Sequence, residues 1–418
     1  MSSCGLDFGT SNSTLAISRD SKASLIALNP PSPILKSAIF FDSEVKEHFI
    51  GQYGIDRYLE GGKGRLMLSL KSILGSTLLN EKIAVCGEWI TYRDIIGLVI
   101  KYIKTTAEKQ LNSALTHVVL GRPVRYHDTS DVRDKLAQDT MELILKEQGF
   151  KEVQFQFEPI AAALDYESTI QGEQLAFIID LGGGTSDFTI IKLNNKNKSL
   201  NRKNDILANV GIHIGGTNFD KDLSLHSIMP LLGKGSHILG VNGTRLEMPV
   251  SLYYDLTSWH LLNNLYSIKN INIMKDLYLV SEQKDLVHRA IYVLRKHLGH
   301  YLLQAAENSK IRLSSSLSDT IDISKVEDNL QVFVSRHNFE DHCHHLIHQL
   351  QKTIQATLTT AGIHANQIDS VFLTGGTTLI PAVHQMITTI FPNSQLVKGD
   401  IYGSVGKGLA IEAAQLWG

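Results

Sequence analysis

Two widely separated stretches of this sequence follow one pattern. Cys4-Gly5-Leu6-Asp7-Phe8-Gly9-Thr10-Ser11-Asn12-Ser13-Thr14-Leu15-Ala16-Ile17 runs from an apolar segment through a short polar turn into a second apolar segment. Ala176-Phe177-Ile178-Ile179-Asp180-Leu181-Gly182-Gly183-Gly184-Thr185-Ser186-Asp187-Phe188-Thr189-Ile190-Ile191 does the same. Small polar residues between two apolar runs predict a β-hairpin. Both stretches place an aspartate at the end of the first strand, and both carry Gly-Thr-Ser in the turn. A repeated unit of this kind predicts a duplicated architecture of two related lobes.

The intervening sequence predicts an α/β chain. His117-Val118-Val119-Leu120-Gly121-Arg122-Pro123 reads as a buried strand, and 131–149 has the 3.6-residue apolar spacing of a helix ending at a glycine. Glu158 opens another helix, with Pro159 in the first turn, where its missing N–H does no harm. Strands alternating with helices in this way predict the α/β class. Residues 221–312 carry helix-like segments, among them 285–306, and few strand signals. Their aromatic stretch 251–259 is better accounted for by core packing than by a binding face. A helix over 335–360, a strand Ser370-Val371-Phe372-Leu373-Thr374, a Gly375-Gly376-Thr377 turn and a last helix to Trp417 complete the chain. The polar, basic stretch 194–205 lacks interleaved aromatics and reads as a solvated hairpin loop rather than a nucleic-acid patch.

Three glycine turns follow apolar strands: Gly9-Thr10-Ser11, Gly182-Gly183-Gly184-Thr185 and Gly375-Gly376-Thr377. Glycine lets a backbone approach a phosphate closely, and consecutive N–H groups make an anion-binding concavity. A single run of this kind serves backbone geometry as readily as phosphate binding. Two runs paired with strand-end aspartates are more specific. Asp7 and Asp180 are hard oxygen donors suited to Mg2+ held through its waters, although aspartates in turns also cap their own backbone. Rival nucleotide folds fit less well. The sequence has no P-loop motif, the glycines at 182–184 lead into a strand rather than a helix, and Asp7-Phe8-Gly9 has no kinase lobe before it.

At this point the residues resemble the nucleotide-binding domain of the DnaK-type heat-shock chaperones, within the actin-like ATPase superfamily. Leu6 to Ser13 resembles the first phosphate motif and Ile179 to Asp187 the second. Phe157 to Ala163 is similar to the connecting motif, and Ile214 to Asp220 to the segment after it. Glu307 to Ser314 and Phe372 to Pro381 resemble the adenosine motifs, and Ser69 to Gly75 sits where the family has a catalytic lysine. The matches run in family order over almost the whole chain. They resemble most closely the YegD-like proteins that lack a peptide-binding domain, because the chain stops where the nucleotide-binding domain should stop.

The resemblance implies a duplicated ribonuclease H-like fold with two lobes around a nucleotide cleft, each with a smaller inserted subdomain. Lobe I would span 1–170 with an insertion at about 36–97, and lobe II 171–418 with a mostly helical subdomain at about 219–343. Helix 404–418 would pack back near lobe I. It also implies Mg2+ with ATP or ADP as cofactors, and slow ATP hydrolysis by attack of water on the γ-phosphate. Asp7 and Asp180 would hold the hydrated metal. Gly9, Thr10, Ser11, Asn12, Gly182, Gly183, Gly184, Thr185, Gly215, Gly216, Thr217, Gly375, Gly376 and Thr377 would take the nucleotide's phosphates and their surroundings. Glu307, Lys310, Ile311, Ser314 and Leu379 would take the nucleoside. Lys71 would position the attacking water, with Glu158 and Asp187 orienting water and metal shell. Read without the family, Lys71 is a solvated helix residue and Glu158 a helix-start carboxylate favoured by the dipole.

Two departures from the family follow. Ile311 and Leu379 stand where the chaperones place arginines beside the adenine, and aliphatic side chains supply no cation–π attraction. No acidic-leucine linker or peptide-binding β-domain follows residues 406–411, so nucleotide-driven lobe closure would act on a separate protein partner. Alternatives from other classes are a nucleotide-sensing module without turnover and a filament-forming actin relative.

Composition sets the remaining expectations. Lys+Arg number 40 and Asp+Glu 42, a balance that gives no general attraction to nucleic acid or anionic lipid. The three cysteines, Cys4, Cys86 and Cys343, are dispersed and odd in number, which suits a reducing compartment. With no signal-type N-terminus or membrane-length apolar run, a cytoplasmic monomer without nucleic-acid or membrane partners is expected. His344 and His348 share a helix face at a zinc-compatible spacing, but no second cluster accompanies them, and a His-rich surface helix is the simpler reading.

Overall fold

A computed structural model of the chain describes residues 3–19, 22–127, 130–167, 170–194, 203–259, 261–398 and 403–418. Both predicted hairpins form. Strand β1 (Ser3–Phe8) pairs antiparallel with β2 (Asn12–Arg19), and β3 (Lys22–Leu25) continues the meander. On the other side of β1, β4 (His117–Arg122) and β5 (Glu152–Phe157) add in parallel. The second sheet repeats this plan. Strands β6 (Glu173–Leu181), β7 (Ser186–Asn194) and β8 (Ile206–Ile212) form a meander, and β9 (Ser370–Thr374) and β10 (Gln395–Lys398) add in parallel beyond β6. The strand orders β3-β2-β1-β4-β5 and β8-β7-β6-β9-β10 are the same. The duplication expected from the hairpins therefore extends to whole sheets.

The parallel strands have continuous apolar runs because both their faces are covered. In β6, Ala176, Phe177, Ile178, Ile179 and Leu181 have no exposed surface. The rings of Phe177 and Phe391 lie 5.2 Å apart, and truncating Phe177 to alanine would cost about 3–5 kcal/mol. Helix α1 (Tyr92–Leu111) starts with a capping box, in which the Thr91 side chain accepts from Asp94 N–H and Asp94 accepts in return. Its Ile95, Ile96, Val99, Ile100 and Ile103, spaced along one stripe, are fully buried. Helix α2 (Asp131–Glu147) starts at Ser130, whose hydroxyl accepts from Arg133 N–H, and joins β4 to β5. Helix α3 (Glu158–Glu167) begins at the end of β5.

Helix α4 (Ser404–Trp417) packs against β1, β2, β4 and α3. Glycines permit the approach, since a Cβ at Gly5 would run into the Leu409–Ala410 backbone and one at Gly408 into the Ala161 carbonyl. The insertion between β3 and α1 holds a three-stranded sheet (Ala38–Asp42, Glu47–Ile50, Gly64–Leu68) and a hairpin (Lys82–Val85 with Glu88–Thr91).

Contacts divide the chain into two units, one of residues 1–215, 350–378 and 383–418 and one of 216–349 and 379–382. Both five-strand orders belong to the first. The second is mostly helical, with a hairpin of Ser318–Asp322 and Gln331–Ser335. The single helix expected over 285–306 is two, Lys284–Arg295 and Gly299–Leu313. His297 adopts a left-handed conformation (φ 56°) and stacks on Tyr266 at 4.2 Å. The Tyr266 hydroxyl accepts from Gly299 N–H, so a tertiary contact sets the break. The expected helix 335–360 likewise splits into Arg336–His342 and His344–Ala361, with the buried Cys343 between. In the aromatic stretch 251–259, Tyr253 is buried and donates to Leu232 C=O (3.1 Å), whereas Tyr254 stays exposed. Most of the basic stretch 194–205 lies outside the described residues. Among the described residues, no helix is long and apolar enough to cross a membrane.

Candidate functional site

The two hairpin turns of the first unit close alike. Gly9 N–H donates to Asn12 C=O at 3.1 Å, and Gly182 N–H to Thr185 C=O at 2.9 Å. A hydroxyl from elsewhere holds the carbonyl of each of these glycines: Ser37 on Gly9 (2.8 Å) and Thr377 on Gly182 (3.0 Å). The turns touch, because a Cβ at Gly183 would collide with the Ser11 hydroxyl. Gly215 presses on the second turn, where a Cβ would stand 2.6 Å from the Gly183–Gly184 backbone. Gly375 adopts φ +81°, a conformation that only glycine takes without strain, and a Cβ there would stand 2.2 Å from the Leu181 carbonyl oxygen.

Together these turns enclose a cleft of about 770 Å³, part of it open to solvent. Of the predicted residues, Asp7, Gly9, Thr10, Ser11, Asn12, Lys71, Glu158, Asp180, Gly182, Gly183, Thr185, Asp187, Gly375 and Gly376 line it. Gly184, Gly215 and Thr377 do not; Gly215 and Thr377 support the turns from behind. Thr14, Thr374 and Val405 also line the cleft and escaped sequence reasoning. Thr14 was reachable from the hairpin register, which sets it opposite Asp7, and Thr374 from the strand preceding Gly375-Gly376. No sequence signal pointed to Val405.

Lys71 is not the solvated residue that its local sequence indicates. It sits on a short 3-10 turn, Leu70–Ile73, and its Nζ lies 2.7 Å from Glu158 Oε1, with the two side chains only 10% and 12% exposed. Burial works against its charge, but Glu158, Tyr126 and Asp7 outweigh burial and hold the ammonium above the usual lysine range. Among the described residues, four carboxylates, Asp7, Glu158, Asp180 and Asp187, share the cleft with this one ammonium. Burial and the Glu158 charge push Asp7 up to about 8, with Asp180 adding to the rise. Burial and Glu158 likewise push Asp180 up to about 6, although a hydrogen bond from Thr374 and the charge of Lys71 pull it down.

Such a surplus of hard oxygen donors fits a divalent cation of the Mg2+ type. Among the described residues, no three His, Cys, Asp or Glu side chains are arranged to hold a metal directly. The Thr14 hydroxyl, buried and without a hydrogen-bond partner, also marks the cleft as a place that expects a polar occupant.

The remaining predicted residues belong to the second unit. Gly216 and Thr217 begin the helix Gly216–Leu223. Glu307, Lys310 and Ile311 lie on the helix Gly299–Leu313, and Ser314 caps its C-terminus. Lys310 Nζ is 2.8 Å from Asp220 Oδ1 and donates to Gly216 C=O at 3.2 Å. Ile311 and Leu379 are 56% and 47% exposed. The rings of His344 and His348 stack at 6.4 Å on an exposed helix face.

A family model described as Hsp70 protein matches residues 3–234 and 281–418. That match covers both hairpins, Lys71, Glu158, the Gly215-Gly216-Thr217 segment and the Gly375 turn. The chain therefore belongs to the Hsp70 family, with an ATP-binding nucleotide domain of the actin-like ATPase fold.

Proposed function

We propose that the chain binds ATP or ADP together with Mg2+ and hydrolyses ATP slowly, by attack of water on the γ-phosphate. The observation that carries this reading is the acidic cleft between two turns of equal closure, with Asp7 and Asp180 both in its lining. Four carboxylates would repel a bare triphosphate, so entry requires an accompanying cation. Mg2+ supplies charge compensation at the phosphate oxygens when bound. Asp7 and Asp180 would hold it through its waters, with Asp187 orienting that shell. Backbone N–H groups of the turns at 10–12, 183–185 and 375–377 would donate to phosphate oxygens, while the Gly9 and Gly182 N–H groups close their own turns. Lys71 would orient the attacking water and offset developing charge, and Glu158 keeps the ammonium in place at 2.7 Å. Gly216 and Thr217 would serve the surroundings of the phosphates, and Glu307, Lys310, Ile311, Ser314 and Leu379 the nucleoside.

The test is phosphate release by the unmodified protein and by Lys71→Ala. A slow rate that falls to background in the variant supports the reading; equal background rates in both overturn turnover. One observation favours a second reading, a nucleotide-sensing module without turnover. Exposed Ile311 and Leu379 offer a base only aliphatic surface, with no cationic partner at either position. In both readings the nucleotide would set affinity for a separate protein partner, and pull-downs that recover different proteins with ATP than with ADP would support this.

A further inference from the structure

Thr14 has no role in the scheme above, yet it lines the cleft and is only 2% exposed. Its register places it opposite Asp7 on the neighbouring strand. In the second sheet, the residue opposite Asp180 in the equivalent hairpin is Asp187, which also lines the cleft. The duplicated fold thus puts Thr14 where its other half uses a carboxylate. The Thr14 hydroxyl has no hydrogen-bond partner, whereas Thr374, beside Asp180, donates to that carboxylate. Buried hydroxyls are nearly always paired, so the missing partner is expected to arrive with a ligand. Helix α4 leaves room beside this hydroxyl because residue 406 is glycine; a Cβ there would stand 2.6 Å from Thr14 Oγ1.

Resting on the function proposed above, we infer that Thr14 is a further binding residue of the cleft, its hydroxyl hydrogen-bonding a water in the shell of the cation that Asp7 and Asp180 would hold. Thr374, on the parallel neighbour of β6, occupies a different position of the repeat, and its hydroxyl is already committed to Asp180.

The experiment is calorimetric titration of the full chain with ATP, in Mg2+ and in EDTA, for the unmodified protein, Thr14→Val and Thr14→Ser. Valine keeps the shape and removes the hydroxyl; serine keeps the hydroxyl. Thr14→Val is expected to weaken binding in Mg2+ by about 3- to 10-fold, the worth of one hydrogen bond, and to leave binding in EDTA unchanged. Thr14→Ser should restore most of the loss. The thermal midpoint of ligand-free Thr14→Val should equal or exceed that of the unmodified protein, because an unpaired buried hydroxyl has been removed. Equal affinity of Thr14→Val and the unmodified protein in Mg2+, or an equal loss in EDTA, would overturn this inference and leave the cleft's function standing. Failure of the unmodified protein to bind ATP in Mg2+ would overturn both.

Discussion

Among the described residues that line the cleft, Lys71 is the one ammonium beside four carboxylates, and replacing it by methionine removes that charge. Glu158 then loses a partner at 2.7 Å while remaining 12% exposed and close to Asp7 and Asp180. Removing one member of a buried ion pair costs about 3–5 kcal/mol, because the other charge stays desolvated. The cleft admits water, which favours the lower end of that range. In a unit this large, about 2 °C of thermal midpoint accompanies each kcal/mol, so a fall of about 6 °C is expected for Lys71→Met at pH 7.5. The Lys71 value is raised above that of an unfolded lysine, so its contribution is complete at this pH and is lost only as pH rises through the folded value. Adding Glu158→Gln to Lys71→Met should recover most of the loss, since the orphaned charge goes with it. Scanning calorimetry on the two single variants and the double variant gives the answer. A Lys71→Met midpoint within about 1 °C of the unmodified protein, or a double variant no better than the single, would refute the claim that this pair is buried and coupled.

Other consequences can be checked separately. Gly183→Ala should lower ATP affinity in Mg2+ by about tenfold, because its methyl group displaces Ser11 from the turn contact, and titration calorimetry would read the change. Asp7→Asn should raise the thermal midpoint of the ligand-free protein at pH 8.5 and bring little change at pH 4.5. The folded value of about 8 lies above that of an unfolded aspartate, so the carboxylate's cost grows as pH rises between the two. Midpoints measured across that range would contradict this if the gap widened toward acid. Ile311→Arg should tighten ATP binding several-fold through stacking of the guanidinium on the base, and an unchanged titration would argue that Ile311 does not face the nucleotide.

The hairpins were legible because their signals are local. An aspartate at a strand end followed by glycines and hydroxyls shows in ten residues, and the structure closes both turns through equivalent backbone hydrogen bonds. The strands β5 and β10 and the small sheet of the insertion are harder to read, since runs such as Glu152–Phe157 alternate polar and apolar residues over only six positions and depend on neighbours for their burial. Lys71 shows the limit most clearly. Nothing around it signals burial, and its partner Glu158 lies 87 residues away. The break at His297 is partly of the same kind, because periodicity carries through 285–306 and Tyr266, from a distant segment, packs on His297 and holds Gly299 N–H, although Gly299 is itself a local signal. Thr14 was hidden for another reason. Threonine in a strand is ordinary, and only the pairing with Asp7 and the absent hydrogen-bond partner set it apart.

Titration of the full chain with ATP, in Mg2+ and then in EDTA, bears most directly on the cleft between Asp7 and Asp180. Saturable binding in Mg2+, much weaker in EDTA and impaired by Asp7→Asn and by Asp180→Asn, is the expected result. Absence of binding in Mg2+, or binding indifferent to the metal and to both aspartates, would contradict it.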